Sequence, residues 1–499
     1  MSAATVLDTL SSLPGNTPVL LGDSEDVTAA ALLEGAEVLA QRLGHVNVLG
    51  VLADNSPAWV LADLAALQAG IPHLPLPGFF NPAQLAHALR ETSANTVLSD
   101  QPERIEALEL GFERIALWQG LTLLQRKVRP VSLPSGTAKI SFTSGSTGSP
   151  KGVCLSAAGL IETAQALAEV FKPASLQRHL AVLPLALLLE NIAGIYAPLL
   201  LGAQIRLTSL PRLGWRGMAG FDPAGLHTAV AQTHPDSLIL VPELLKAWVL
   251  FLEATGQRPP CALQFVAVGG AHVAPDLLAR ATRLGIPVYQ GYGLTECGSV
   301  VCMNRPDNHD SRGGGVGRPL PHVEVTIEAG EVCVKARAFL GYLHDAASAS
   351  AHPAGALFHT GDLGQFDESG NLHLNGRRKN LLITSFGRNV SPEWVEATLL
   401  AQPAIAQAIV SGEGQPTLTA VLVPASGASH DDLTAAVGQA NRHLPEYARL
   451  AAWLTSAPFS TQNGQLTGNG RPVRSAILAH HSAALAALHS GKEHHHELL

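Results

Sequence analysis

Between Thr143 and Gly148 the chain gathers four hydroxyls and two glycines, and one ammonium and a third glycine follow at once. These are Thr143, Ser144, Ser146 and Thr147, then Gly145, Gly148 and Gly152, then Lys151. The segment follows a strand-like run, Lys139–Phe142. Hydroxyls supply donors, glycines let backbone amides approach closely, and the lysine adds a point charge, which together suit a polyphosphate. The spacing is not Gly-x-x-x-x-Gly-Lys-Ser/Thr, so a nucleotide-hydrolysing P-loop is not expected. A flexible Ser/Gly linker is the competing reading, and the placement between two apolar strands argues against it. A second group lies at Gly291–Glu296, after the strand-like Val288–Gln290. The Tyr292 face can stack on a purine, Thr295 can bond a phosphate, and Glu296 can hold Mg2+ between phosphate oxygens. Further on, Asp362 follows the Gly361 turn and can accept hydrogen bonds from both hydroxyls of a ribose. Read alone, Gly269–Gly270 is a tight turn as readily as a site. His272, His309 and His322 read as structural.

The elements that must position these groups alternate. Ala29–Leu43, Trp59–Ala69 and Pro82–Thr92 carry apolar residues at helical spacing. Val46–Leu52, Ile71–Leu76 and Thr96–Leu98 are short aliphatic runs between them. Leu180–Leu183, Ala203–Leu207, Ser237–Val241, Phe265–Val268 and Pro287–Tyr289 continue the strand pattern. Repeated strand–helix units predict an α/β body with helix-covered, largely parallel sheets. From Gly317 the pattern changes to short strands at Val323–Ile327, Glu331–Lys335 and Leu372–Leu374, which predicts a small β-barrel-like subdomain. After Gly376, helices at Pro392–Leu400, Asp431–His443 and Arg474–Leu488 and strands at Ala406–Val410 and Leu418–Val423 predict a small α+β domain. The boundary is placed near Lys379, giving an N-terminal domain of residues 1–378 and a C-terminal domain of residues 379–499.

Composition bounds the rest. The 499 residues are 46% hydrophobic and 14% charged, with a net charge of −8, so large cores are available and global disorder is excluded. No basic run suggests a nucleic-acid surface. The opening residues lack a basic stretch and a sustained apolar core, so a signal peptide is not expected. No run reaches the roughly 18 apolar residues of a membrane span. Five cysteines without CxxC spacing fit reduced thiols and a cytoplasmic setting. His494–His496 reads as a solvated tail.

The segment Thr143–Gly152 resembles the phosphate-binding loop of the adenylate-forming, or AMP-binding, superfamily of acyl-CoA synthetases, peptide-synthetase adenylation domains and luciferases. Other matches follow in family order. Tyr292–Glu296 resembles the Tyr-Gly-x-Thr-Glu signature, Val268–Ala271 the strand-end turn that meets adenine, and Thr360–Asp362 the Thr-Gly-Asp motif. Gly376–Asn380 resembles the domain-junction segment. The resemblance covers about Thr28 to Leu478 and looks most like the long-chain acyl-CoA synthetases.

It implies an ATP- and Mg2+-dependent ligase. Such an enzyme forms an acyl-adenylate from a carboxylic acid, here a medium- or long-chain fatty acid, and passes the acyl group to CoA or to the phosphopantetheine of a carrier protein. By the same resemblance Thr143, Ser144, Gly145, Ser146, Thr147, Gly148 and Lys151 hold phosphate. Gly269, Gly270, Ala271, Tyr292, Gly293, Thr295, Asp362 and Arg377 hold the rest of the nucleotide. Lys151, Thr295, Glu296 and Arg471 serve the reaction, with Glu296 on the metal. Lys379 is the hinge, and Gly387 lies on the thiol's approach. Two departures stand out. Arg471 occupies the place of the usual catalytic lysine, and no lysine occurs between Lys379 and Lys492. Leu187 replaces a customary histidine in Leu183–Glu190, which suits an apolar acyl chain or plain core packing. No insertion marking acyl-AMP ligases is visible between Asp362 and Gly376. An acyl-AMP ligase loading a carrier protein, or an impaired adenylate-binding protein, are the rival readings.

Overall fold

The computed structural model describes residues 4–143, 150–217, 220–306, 315–344, 355–467 and 471–489. The chain divides into two compact units. One comprises residues 1–270, 284–326 and 333–358, and the other residues 271–283, 327–332 and 359–499.

Two large mixed sheets organise the first unit. A nine-stranded sheet runs in the order Arg318–Pro319, Cys302–Met303, Val288–Tyr292, Phe265–Val268, Ser237–Leu240, Arg178–Ala181, Gln204–Leu207, Pro18–Leu21 and Asp26–Thr28. Its central neighbours are parallel, as the strand–helix alternation predicts. An eight-stranded sheet runs Phe339–Tyr342, Lys151–Ser156, Thr137–Thr143, His73–Pro75, Leu49–Leu52, Thr96–Ser99, Leu121–Gln125 and Glu113–Trp118. The predicted helices form with local stop and start signals. Pro57–Ala69 starts on the Ser56 cap and ends at Gly70, whose φ of 66° is left-handed. Every residue from Trp59 to Leu67 is buried, so this helix has no polar face to show. Asn81 and Gln84 form a reciprocal capping box on Pro82–Glu91.

The short strands after Gly317 form a four-stranded sheet of Glu324–Glu328, Glu331–Lys335, Leu357–Phe366 and Leu372–Arg377, in that order. Among the described residues it does not close, so the barrel-like expectation is corrected to an open sheet. In the second unit a three-stranded sheet, Ile405–Ser411, Leu418–Pro424 and Leu450–Thr455, is covered on both faces. Strand alternation sends Ala408, Val410, Ala420 and Leu422 into one core with Leu399, Leu433 and Val437. Ile409, Val421 and Val423 enter a second core with Ile477 and Leu485. The expected single helix Arg474–Leu488 is two helices, Arg474–His480 and Ser482–His489. His481 interrupts them and turns inward, its Nε2 lying 3.1 Å from the Ser456 hydroxyl. No helix of the described residues is long and apolar enough to cross a membrane.

Candidate active site

In the first unit the hairpin of Thr137–Thr143 and Lys151–Ser156 is closed by the pair Thr143↔Lys151. Ser144, Gly145, Ser146, Thr147 and Gly148 lie outside the described residues. The first strand of the hairpin is fixed from below by a buried charge cluster. Lys139 Nζ lies 2.8 Å from Asp63 Oδ1 and also donates to Asn191 Oδ1. Asn191 Nδ2 donates to Asp63 Oδ2 at 2.8 Å, and His73 Nδ1 meets Asp63 Oδ1. Burial pushes the Asp63 carboxyl up, but Lys139 and His73 outweigh it and hold it well below the usual range. Burial pushes His73 and Lys139 down. The cluster ties the helix Pro57–Ala69 to the strand that ends at Thr143.

Lys151 is exposed, and its ammonium sits 5.4 Å above the Tyr342 ring. The Tyr342 hydroxyl donates to Glu296 Oε1 at 2.9 Å. Glu296 and Thr295 are half-buried on the single 3-10 turn Thr295–Cys297, which Gly298 ends at a φ of 80°. Lys151 and Glu296, predicted separately from distant segments, therefore share one tyrosine. Tyr342 was not singled out from the sequence. Gly293 is required sterically, because a Cβ there would stand 1.7 Å from the Ser299 carbonyl oxygen. A Cβ on Gly269 would lie 3.2 Å from the Gly291 carbonyl oxygen, so the two strand ends approach closely. Tyr292 is largely buried at the end of its strand.

Beneath this turn, Thr163 donates to the Gly159 carbonyl at 3.0 Å and accepts from His322 Nε2 at 3.0 Å. Desolvation pushes His322 down to about 4. The Leu183–Glu190 segment is clamped by buried polar groups. Glu190 accepts from the Leu183 amide at 3.0 Å and meets His179 Nε2 at 3.0 Å. Asn55 bonds Leu183 O and Leu185 N, each at 2.9 Å. Leu187 is half-buried, and a π-helix, Glu190–Tyr196, follows. The sequence reading did not anticipate that helix.

In the second unit Asp362 and Arg377 face each other across adjacent strands, and Arg377 Nε lies 2.8 Å from Asp362 Oδ1. The Asp362 amide donates to Thr360 Oγ1 at 3.0 Å, and the Gly361 amide to Glu331 Oε1 at 2.8 Å. Ala271 is exposed in the loop before the helix Pro275–Leu284. Lys379 is exposed in the turn after Leu372–Arg377. Gly387, with a φ of 71°, turns the small hairpin Leu382–Ile383/Asn389–Val390. Arg471 is exposed, and its amide donates to Thr467 Oγ1 at 3.0 Å. Three residues on, Arg474 grips both carboxylate oxygens of Glu396 at 2.7 Å and donates to Val410 O at 2.9 Å. That fork anchors the segment carrying Arg471.

A helix-covered α/β body, a Ser/Thr/Gly hairpin ending in lysine and a glutamate-bearing turn beside it define a nucleotide-binding enzyme of the adenylate-forming class. The chain belongs to the AMP-binding enzyme family: the family model matches residues 9–343, and the AMP-binding enzyme C-terminal domain matches residues 379–493. It is similar to a probable CoA ligase of Humulus lupulus, 28% identical over 77% of this chain and 76% of that one. It is also similar to the 2-succinylbenzoate–CoA ligase of Bacillus velezensis, 31% identical over 60% of this chain and 61% of that one. Among solved structures, an anthranilate CoA ligase in complex with anthranoyl-AMP shares the fold with a TM-score of 0.78 at 19% identity, over 97% of this chain and all of that one (100%). The o-succinylbenzoate CoA synthetase of Bacillus subtilis, in complex with its acyl-adenylate, gives 0.74 at 22%, over 95% and 97%.

Proposed function

We propose that this enzyme activates a carboxylic acid with ATP, releasing pyrophosphate, and transfers the acyl group from the acyl-adenylate to the thiol of CoA. The observation that carries the reading is the meeting of Lys151 and Glu296 on Tyr342, beside the mouth of the Thr143–Lys151 hairpin. A carboxylate is already nucleophilic at neutral pH, so the protein's task is positioning and charge neutralisation. Thr143, the hydroxyls of Ser144, Ser146 and Thr147, and Lys151 hold the triphosphate, with Gly145 and Gly148 allowing close approach. Gly269, Gly270, Ala271, Tyr292 and Gly293 hold adenine, Asp362 with Arg377 holds ribose, and Thr295 bonds phosphate. The donor set at Glu296, one carboxylate beside a phosphate site, fits Mg2+, which is commonly bound by one or two carboxylates plus phosphate oxygens. Bound there, the ion would offset charge on the leaving pyrophosphate.

Arg471 keeps the positive charge of the family's lysine in a planar fork and stabilises the reacting centre. A boundary near Lys379, between residues 1–378 and 379–499, lets the second domain turn, withdrawing Arg471 and presenting Gly387 to the thiol. A reduced, cytoplasmic setting belongs to the same proposal, supported by the buried thiols of Cys154, Cys297, Cys302 and Cys333. The acid itself has an apolar body. Leu187 in place of histidine and the buried aliphatic run around it favour this, and a long-chain-fatty-acid–CoA ligase of Cavia porcellus is among the relatives, 25% identical over 80% of this chain. Relatives are also named for 2-succinylbenzoate and oxalate, so a fatty acid is one member of the panel to be tried. Arg471 keeps a second reading in play, that of an adenylate-binding protein with impaired chemistry.

The test is pyrophosphate release over fatty acids of graded length, aryl acids, 2-succinylbenzoate and oxalate, with and without CoA. Acid-dependent pyrophosphate followed by CoA-dependent AMP is the expected result. Acid-dependent pyrophosphate without CoA-dependent AMP points to a carrier protein as acceptor. ATP binding without acid-dependent pyrophosphate supports the impaired reading.

A further inference from the structure

Tyr342 sits between two opposite charges. It ends the strand Phe339–Tyr342, where it pairs with Val153 on the strand that begins at Lys151. The Phe339 ring meets it edge-on at 5.0 Å and sets its orientation. The ring face carries the Lys151 ammonium and the hydroxyl carries Glu296 Oε1. Among the described residues no ion pair joins Lys151 to Glu296. Without the tyrosine, a long lysine and a half-buried glutamate beside it would be free to neutralise each other.

We propose that Tyr342 is a positioning residue that keeps Lys151 and Glu296 apart and separately aimed, so that the ammonium stays available to triphosphate and the carboxylate to Mg2+. This rests on the ATP-binding reading above. The two halves of the side chain do different things. The hydroxyl is a charge-assisted donor that fixes the carboxylate, and the ring is a weak, displaceable seat for the ammonium. Phosphate oxygens outcompete a ring face for an ammonium more easily than they outcompete a carboxylate.

Calorimetric titration with ATP in EDTA and with ATP in MgCl2 separates the two. Tyr342→Phe keeps the ring and should leave the affinity for ATP in EDTA unchanged, while reducing the gain on adding Mg2+ about tenfold, the value of a hydrogen bond to a charged group. Tyr342→Leu loses both seats and should also weaken ATP in EDTA about threefold or more, as Lys151 turns to Glu296. Adding Glu296→Gln to Tyr342→Leu should restore that metal-free affinity. A purely structural tyrosine would not give this restoration. A wild-type Mg2+ gain in Tyr342→Phe overturns the proposal, as does a double variant no better than Tyr342→Leu in EDTA. A wild-type enzyme that gives no heat with either form of ATP overturns the functional reading itself. Wild-type binding with an unaltered Tyr342→Phe overturns only the role of the tyrosine.

Discussion

Lys139→Met removes an ammonium from a site where its carboxylate partner, Asp63, is 1% exposed. Breaking a buried pair by removing one member costs about 3–5 kcal/mol, because the surviving charge is left in a low dielectric. Asp63 would keep the Asn191 amide at 2.8 Å and His73 Nδ1, so the lower end, about 3 kcal/mol, is expected. The loss should depend on pH with a definite sign. In the wild type, burial and the Lys139 charge both push His73 down, while Asp63 pulls it up. Deleting Lys139 removes one downward influence and leaves His73 as the remaining group able to balance Asp63. With that influence gone His73 is held down less, so the variant loses less stability than the wild type as pH falls through the histidine range. The penalty should therefore be largest at pH 8 and smaller at pH 6. Asp63→Asn in the Lys139→Met background removes the stranded charge and should recover about 2 kcal/mol, since a buried pair is worth little against neutral packing. Urea midpoints at constant m-value, taken at both pH values, measure all three. A Lys139→Met cost below about 1 kcal/mol at pH 8, or a double variant no more stable than the single, would refute the claim that Asp63 is ionised in the fold.

Changes at four further positions test the fold and the site. Gly293→Ala places a methyl 1.7 Å from a backbone oxygen that cannot rotate away, so it should cost about 3 kcal/mol and abolish the heat of ATP binding. Gly78→Ala, with nothing within 4 Å of the new Cβ, should leave stability within about 0.5 kcal/mol of wild type. His322 is depressed to about 4 from 6.5, so the fold should lose up to about 3 kcal/mol as pH falls from 6.5 to 4. The melting temperature of His322→Gln should fall less over that range. Arg471→Ala should slow acid-dependent pyrophosphate release by about 100-fold or more while leaving ATP binding intact, and Arg471→Lys should retain most of the rate. An unchanged rate in Arg471→Ala would remove the residue from the reaction.

Much of the fold was legible because its signals are local. A helix such as Pro57–Ala69 announces itself through Ser56, Pro57 and Gly70, and the parallel strands through short aliphatic runs between turn residues. The three-stranded sheet of the second unit was half legible: Ile405–Ser411 and Leu418–Pro424 stood out by their aliphatic alternation. Leu450–Thr455, behind a helix and a 3-10 turn, did not. The break at His481 escaped because its cause is a contact with Ser456, 25 positions away in the chain. The π-helix Glu190–Tyr196 escaped for a similar reason. Its first residue is held by His179 and by the Leu183 amide, and a Cβ on Gly194 would lie 2.1 Å from Glu190 Oε1. Apolar periodicity over that stretch cannot distinguish a π turn from an α turn.

The candidate site divides along the same line. Consecutive hydroxyls and backbone amides suit a phosphate, so a loop of that kind is contiguous in sequence, and Thr143–Lys151 could be read as a candidate unit. Thr295 and Glu296 were equally readable, because one short turn fixes both. The groups that aim these residues have no such constraint. Tyr342 meets Glu296 across 46 residues, and Lys139 meets Asp63 across 76. Tyr342 stands in a short apolar strand where an aromatic residue is unremarkable, and Asp63 lies inside a helix whose other residues from Trp59 to Leu67 are all apolar. An isolated charge in such a helix is the one trace the sequence did hold: burying it without a partner is prohibitively costly, so its presence demands a cation elsewhere. Lys139, set between aliphatic residues on the strand that ends at Thr143, answers that demand. The two oddities read singly as exceptions to a pattern, and read together they are a contact.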